Sequence, residues 1–160
     1  MAINPKFAGR SFGPYRYVLG LEKMREFAFA VAGGLPSTGY SAKGPPEGLH
    51  PYLHDEAAAK ASGYGAVIAL PSFAVTFAIA PFGRACADPE LALNLLRLVH
   101  GEQSFEFFDV VRPGDRLTTS GQITDIITKR SLDFLEVTTE SKNQHGTLVV
   151  RAKWTAIIRG

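Results

Sequence analysis

The chain has 160 residues, 46% hydrophobic and 20% charged, which is typical of one soluble folded domain, so we take residues 1–160 as a single domain. The 17 basic and 15 acidic residues are scattered, with a formal net charge of +2, so we expect no nucleic-acid partner. The single Cys86 excludes an intramolecular disulfide, and the first residues lack the apolar stretch of a signal peptide or membrane anchor. We therefore expect a cytoplasmic protein without membrane association.

The first part of the chain predicts a strand, a helix and a long loop. The segment PYRYVLG is aromatic and β-branched, which favours a strand that ends at Gly20. In LEKMREFAFAVAGG the apolar residues recur at intervals of three and four, which predicts a helix that ends at Gly33–Gly34. The segment LPSTGYSAKGPPEGLHP is rich in Gly, Pro and Ser and predicts a long loop. Loops of this length in compact domains are usually either functional or disordered.

The middle of the chain predicts a short helix and then a strongly apolar one. Asp55 precedes EAAAKASG and is a suitable cap for a short helix that Gly63 closes. Ser72 is a suitable cap for a second helix, from about Ser72 to Ala85, which is apolar on nearly every face and should be buried all round. Pro81 should kink or shorten this helix.

From Leu98 onward the apolar period changes to two. The segments LVHGEQSFEFFDV, DRLTTSGQITDIITKR, SLDFLEVTTESKN and GTLVVRAKWTAIIR predict four strands, separated by the turn signals RPGD, KRS and NQHG. We expect these strands to form an antiparallel meander within a sheet of at least five strands. The fold class is α+β: a long buried helix wrapped by a curved antiparallel sheet, which is the hotdog arrangement.

The segments FAFAVAGG, HPYLHDEAAAKASGY, IALPSF, VHGEQSFEFF, RPGDRL and RAKWTAIIR resemble the MaoC-like dehydratases, specifically their FAS1-like, amino-terminal hotdog subfamily. The resemblance covers most of the chain. It implies reversible hydration of a trans-2-enoyl thioester to the (3R)-hydroxyacyl form, with the acyl group carried on coenzyme A or acyl carrier protein and with no cofactor.

The resemblance also implies a set of catalytic groups. Catalytic members of the family carry an Asp and a His in a pattern of the type G-D-x-N-P-x-H-x-D, and a Gly amide in I-A-H-G-M that holds the enolate oxygen. Matching these patterns to this chain puts Gly33, Leu53 and Pro71 where the Asp, the His and the Gly would stand. Because proline has no amide hydrogen, all three groups are missing. We therefore predict a non-catalytic hotdog half, which requires a second hotdog to complete it.

His54 and Asp55 leave an alternative open, namely an autonomous homodimeric hydratase with a relocated catalytic dyad. Adjacent side chains of an extended segment point in opposite directions, so His54 cannot simply replace Leu53. The simpler interpretation makes Asp55 a helix cap and His54 a loop residue that forms a hydrogen bond.

Further expectations concern ligands and partners. We expect the acyl thioester to be bound by residues of the loop and the helix start, namely His50, Tyr52, Leu53, Pro71, Ser72 and Phe73. The four histidines lack metal-ligand spacing, so we expect no metal site. An acyl-CoA thioesterase remains an alternative, although no acid occurs between Ser72 and Cys86 to activate water. The partner is either a second copy, giving a homodimer, or a catalytic hotdog subunit, giving a heterodimer, and the two sheets should join edge to edge.

Overall fold

A computed structural model describes residues 3–33 and 44–159, so part of the predicted long loop lies outside the described residues. The strands are β1 (Ser11–Val18), β2 (Leu98–Phe107), β3 (Arg116–Lys129), β4 (Leu132–Lys142) and β5 (Leu148–Arg159). The helices are α1 (Leu21–Val31), α2 (Glu56–Ala61), α3 (Val75–Ala78) and α4 (Ala80–Cys86). Short 3₁₀ turns occupy Pro5–Phe7, Pro51–Leu53, Pro71–Ala74 and Leu95–Arg97.

The five strands form one antiparallel sheet in the order β1-β3-β4-β5-β2. Along β4 every second residue is buried, as expected for a strand with one face on the core. Leu135, Val137 and Trp154 are fully buried on the side of the sheet that faces the helices. The predicted α+β hotdog fold and its antiparallel sheet of five strands are confirmed.

The prediction that all four carboxyl-terminal strands form one meander is wrong for β2. Strands β3, β4 and β5 follow each other as hairpins, but β2 pairs with β5 at the far side of the sheet. The connection between β2 and β3 is anchored elsewhere, because the Ala69 amide donates to the Val111 carbonyl and the Leu19 amide donates to the Asp115 carbonyl. The connection therefore passes close to the start of the central helix, at Ala69, and close to the start of α1, at Leu19, before β3 begins.

The predicted apolar helix is present, but it is not continuous. It starts as the 3₁₀ turn Pro71–Ala74, continues as α3, bends at Ile79 and ends as α4; we call these three segments the central helix. The break follows from Pro81, which cannot donate a hydrogen bond to the carbonyl of Phe77 one turn earlier. Ser72 lies inside the turn, and no side-chain cap is formed at this helix start, so the predicted cap is wrong.

The central helix is also not buried all round. Phe73, Phe77 and Phe82 are buried against the sheet. On the other side, Val75 and Ile79 are only half-buried, and the last turn is exposed at Gly83 and Arg84. The side of the helix that faces away from the sheet is therefore only partly covered by the rest of the described chain.

Gly121 on β3 lies directly against Pro81 of the central helix. A Cβ atom at Gly121 would lie 2.5 Å from the Cβ atom of Pro81 and 2.9 Å from Cγ2 of Thr139. Only a residue without a side chain allows α4 to pack this closely on β3.

We expect Gly121→Ala to lower the free energy of unfolding by about 1–3 kcal/mol, because the added methyl group must displace Pro81 or Thr139. Gly83→Ala is the matched control, because no atom lies within 4 Å of its Cβ position. This control should raise the free energy of unfolding by about 0.5–1 kcal/mol, as expected for an exposed helical glycine. Urea denaturation followed by circular dichroism measures both values. A Gly121→Ala protein as stable as the wild type would contradict this packing.

Candidate functional site

An open groove of about 650 Å³ runs along the start of the central helix. Its walls come from the turn before α2, from the first turns of the central helix, and from the end of β2 with the connection that follows it. The lining residues are 52–53, 68–71 and 107–112, together with Tyr64, Ala74, Phe77 and Val150.

The lining of the groove is mainly aromatic and aliphatic. Among the described lining residues, Asp109 and Arg112 carry charge. The Arg112 guanidinium donates to the carbonyls of Tyr64 and Val110 at 3.5 and 3.4 Å and lies 3.9 Å from the Asp109 carboxylate. These charges have partners within the chain, so the remaining surface suits an apolar, chain-like ligand.

Leu53, Pro71 and Gly33 give this groove no proton-transfer group. Leu53 is buried and lines the groove, and Pro71 opens the 3₁₀ turn at the start of the central helix. Gly33 follows the end of α1 in a left-handed conformation, with φ of 88°. None of the described lining residues is a histidine. The described lining therefore lacks the histidine of a His–Asp acid–base pair.

His54 and Asp55 lie next to the groove in sequence, but neither lines it. Residues 51–53 form a 3₁₀ turn that continues as a turn at His54, so this part of the segment is not extended as expected from the sequence, whereas Asp55 is. The His54 ring lies 5.7 Å from the ring of Phe29, and the His54 carbonyl accepts a hydrogen bond of 2.7 Å from Arg25. His54 thus contacts α1 while its neighbour Leu53 faces the groove.

Asp55 is the amino-terminal cap of α2, as predicted. Its carboxylate accepts a hydrogen bond of 2.9 Å from the amide of Ala58. This bond is the main reason why the pKa of Asp55 is lowered from its usual value. The Asp55 carboxylate is thus held by an amide of the first turn of α2, which is the capping geometry.

Arg25 is a residue of this region that sequence reasoning missed. Its guanidinium bonds to Glu22 within α1, to Glu56 at the start of α2, and to the His54 carbonyl. These contacts join α1 to the turn that carries Leu53. The sequence shows that α1 and α2 both carry charged residues, but it does not show which of these residues form ion pairs with each other.

The structure distributes the six expected acyl-binding residues over several places. Tyr52, Leu53 and Pro71 line the groove. The remaining three do not: the exposed His50 ring stacks on Tyr52 at 3.8 Å, Ser72 is exposed, and Phe73 is in the core. Substrate binding by these residues remains a prediction.

Phe107 and Phe108 are groove residues that were not among the expected acyl-binding residues. Both are half-exposed and line the groove at the end of β2. The sequence places these two aromatic residues at the end of a predicted strand. It does not show that this strand lies at the edge of the sheet next to β5, which brings them to the groove.

Other reactive groups offer no alternative site within residues 3–33 and 44–159. No three His, Cys, Asp or Glu side chains of these ranges are placed to hold a metal ion. Burial raises the pKa of the Cys86 thiol to about 11, so this thiol is a poor nucleophile. No helix in the same ranges is long and apolar enough to cross a membrane.

Comparison with known proteins assigns the chain to a group. Residues 6–152 match the family model described as the FAS1-like, dehydratase domain region. A UPF0336 protein of Saccharopolyspora erythraea is 37% identical, over 100% of this chain and 94% of that protein. A UPF0336 protein of Streptomyces avermitilis is 39% identical, over 95% of this chain and 92% of that protein.

Solved structures show the same fold. The truncated HadBC complex of Mycobacterium tuberculosis, a (3R)-hydroxyacyl-ACP dehydratase, contains a chain with a TM-score of 0.74 and 24% identity, over 94% of this chain and 96% of that one. A chain described as a MaoC-like dehydratase has a TM-score of 0.76 and 25% identity, over 96% of this chain but only 42% of that one.

Proposed function

Because the chain belongs to the FAS1-like dehydratase family, we propose that it is the non-catalytic, acyl-binding subunit of an (R)-specific enoyl thioester hydratase or 3-hydroxyacyl thioester dehydratase. One observation carries this proposal. The groove suits an acyl chain, yet Leu53 and Pro71 occupy the positions at which the resemblance places the catalytic His and the oxyanion Gly.

Hydration of an enoyl thioester needs a base for water, a proton for the carbon next to the carbonyl, and donors for the enolate oxygen. This chain contributes the apolar surface. Burial of the acyl chain stabilises the complex by about 0.8 kcal/mol for each methylene group, which also holds the reacting end in one position. The acid–base pair and the oxyanion donors belong to a second hotdog subunit.

Two comparisons support a second hotdog. The HadBC structure is a complex of subunits. The MaoC-like dehydratase chain has more than half of its length outside the region that matches this chain, which leaves room for a further domain. In either arrangement the proposed substrate is an acyl thioester of coenzyme A or of acyl carrier protein.

The acyl-binding role predicts a steep dependence of affinity on chain length. From hexanoyl-CoA to dodecanoyl-CoA, the dissociation constant should fall with each added methylene, by up to about fourfold where the methylene is fully buried. Leu70→Asp, in the groove, should weaken dodecanoyl-CoA binding by at least about tenfold, because a carboxylate replaces apolar surface there. Isothermal titration calorimetry gives these constants.

Leu132→Asp is the matched control, since Leu132 is also half-buried but lies on β4 outside the groove lining. It should leave the affinity within about twofold of the wild type. Equal affinity for short and long acyl chains, or equal weakening by both substitutions, would contradict the proposal.

A further inference from the structure

Three exposed cations lie next to one another on the outer face of the sheet, which faces away from the central helix. Arg16 on β1 and Lys142 on β4 both pair with Thr118 of β3, which lies between them. Arg116, two residues earlier on β3, pairs with Val18 of β1. Cross-strand partners share one face of a sheet, and diagonal neighbours lie about 7–8 Å apart. Arg16, Arg116 and Lys142 therefore form one cluster, which we call the basic patch.

The basic patch has no counter-charge among the described residues. None of the ion pairs within residues 3–33 and 44–159 involves its three cations. Two carboxylates are close to the patch in sequence, but both have other partners. Glu140 forms an ion pair of 3.0 Å with Arg151. Asp115 accepts hydrogen bonds from the amide of Arg112 and the side chain of Gln144. Like charges on neighbouring strands repel each other, so this grouping indicates an anionic partner.

An exposed apolar side chain lies within the basic patch. Val18 is 66% exposed, lies two residues after Arg16 on β1, and is the cross-strand partner of Arg116. A free phosphate group gains nothing from an apolar neighbour. A protein surface does gain, because an apolar side chain that is buried between two proteins adds to the contacts between charges. Cations around an exposed valine thus suit an acidic protein surface that also carries apolar residues.

The basic patch lies at the same end of the sheet as the groove. Arg112 lines the groove, and a tight turn joins it to Arg116. In this turn the Arg112 amide donates to the Asp115 carboxylate at 2.8 Å, and the Asp115 amide donates to the Arg112 carbonyl at 3.1 Å. The Leu19 amide, directly after Val18, donates to the Asp115 carbonyl at 2.9 Å. Because the ends of such a turn are within about 7 Å of each other, the patch begins beside the groove lining.

We propose that the basic patch is the docking site of an acyl carrier protein with an acidic surface, which delivers its acyl group to the groove around the end of the sheet. This docking role rests on the proposed function, and it makes the carrier protein, not coenzyme A, the natural carrier. The end of β2 lines the groove, so a second hotdog that completes the groove lies beside β2. The patch is on β1, β3 and β4, on the other side of the sheet, and stays accessible in that assembly.

Two thioesters with the same acyl group separate the carrier from the acyl chain. Dodecanoyl-CoA and an acidic bacterial acyl carrier protein with a dodecanoyl group are each titrated into the full chain by calorimetry. In the double variant Arg16→Glu with Arg116→Glu, the dissociation constant of the carrier-protein thioester should rise at least about tenfold, because two attractions become repulsions. The affinity for dodecanoyl-CoA should stay within about twofold, which also shows that the variant is folded.

The double variant Lys129→Glu with Arg159→Glu is the matched control. These two exposed cations are the cross-strand neighbours of Leu132, at the opposite end of the same face, and their reversal changes the net charge by the same amount. The control should bind both thioesters within about twofold of the wild type. Added salt should weaken binding of the carrier-protein thioester more in the wild type and the control than in the patch variant.

Three results would overturn the docking site. The patch variant could bind the carrier-protein thioester as tightly as the wild type, it could lose affinity equally for both thioesters, or the control could lose as much affinity as the patch variant. Equal loss for both thioesters would show that the patch attracts the phosphate groups of coenzyme A as well and does not recognise the carrier protein.

The carrier protein without an acyl group separates failure of docking from failure of the proposed function. Resonances of its acidic surface should shift in NMR spectra when the wild-type chain is added, and they should shift much less with the patch variant. If these shifts occur while dodecanoyl groups add no affinity on either carrier, the docking site stands and the proposed acyl-binding function fails. If the wild-type chain causes no shifts, the docking site is wrong, and binding of dodecanoyl-CoA still decides the proposed function.

Discussion

Purified alone, the chain should bind long-chain enoyl-CoA but add water to it at a rate far below that of an ordinary enzyme. General acid–base groups contribute about 10²–10⁴ in rate, and an oxyanion donor contributes about 10²–10³. With Gly33, Leu53 and Pro71 at the three positions, the combined loss should leave almost no turnover. The assay follows the loss of enoyl absorbance with crotonyl-CoA and with longer substrates, for the chain alone and with a candidate catalytic hotdog subunit.

Substitutions at His54 and Asp55 separate this result from its alternative. His54→Ala should leave the activity of an assembled complex within severalfold of the wild type, because the His54 ring contacts Phe29 and not the groove. Asp55→Asn keeps a side-chain oxygen for the Ala58 amide and serves as the control for capping. If the chain alone turned over like an ordinary enzyme, and His54→Ala lowered that rate a hundredfold or more, the relocated dyad would be correct.

Local features of the fold were predictable because they depend on neighbours in sequence. The period of three and four gave α1, and the position of Asp55 before an alanine-rich segment gave the cap of α2. The position of β2 was not predictable in this way. It is set by the pairing of β2 with β5, whose residues are about 50 positions apart in the sequence.

The same distinction holds for the site. Leu53 and Pro71 were selected from their positions in a sequence pattern, and the structure brings both to one groove. Phe108 and Arg112 were not selected, because they reach the groove only when β2 lies next to β5. The central helix shows an intermediate case: Pro81 indicated a break, and the break lies at Ile79, two residues before the proline.

Trp154 is the side chain that joins β2 to the central helix. Its indole N–H donates to the hydroxyl of Thr139 at 3.0 Å, and the whole side chain is buried. The indole stacks on Phe82 of α4 at 5.7 Å and receives the edge of Phe105 of β2 at 5.5 Å. The His100 ring of β2 lies 5.8 Å away. Trp154 therefore links β2 to the central helix, beside the direct contact of His100 with Phe82 at 5.3 Å.

We expect Trp154→Ala to lower the free energy of unfolding by about 3–5 kcal/mol, because it leaves a large cavity and removes the ring contacts with Phe82, Phe105 and His100. Trp154→Phe should cost less, about 1–3 kcal/mol, since a ring remains while the buried Thr139 hydroxyl loses its partner. Ile127→Ala, at a half-exposed position of β3, is the control and should change stability by less than about 0.5 kcal/mol.

Urea denaturation followed by circular dichroism ranks the stabilities of the three variants, and hydrogen exchange shows which part of the sheet is affected. In Trp154→Ala the amides that join β2 to β5 should exchange faster than those that join β3 to β4, because β2 has lost its support on the core. Uniform acceleration across the sheet would show that Trp154 stabilises the domain as a whole and does not hold β2 in particular.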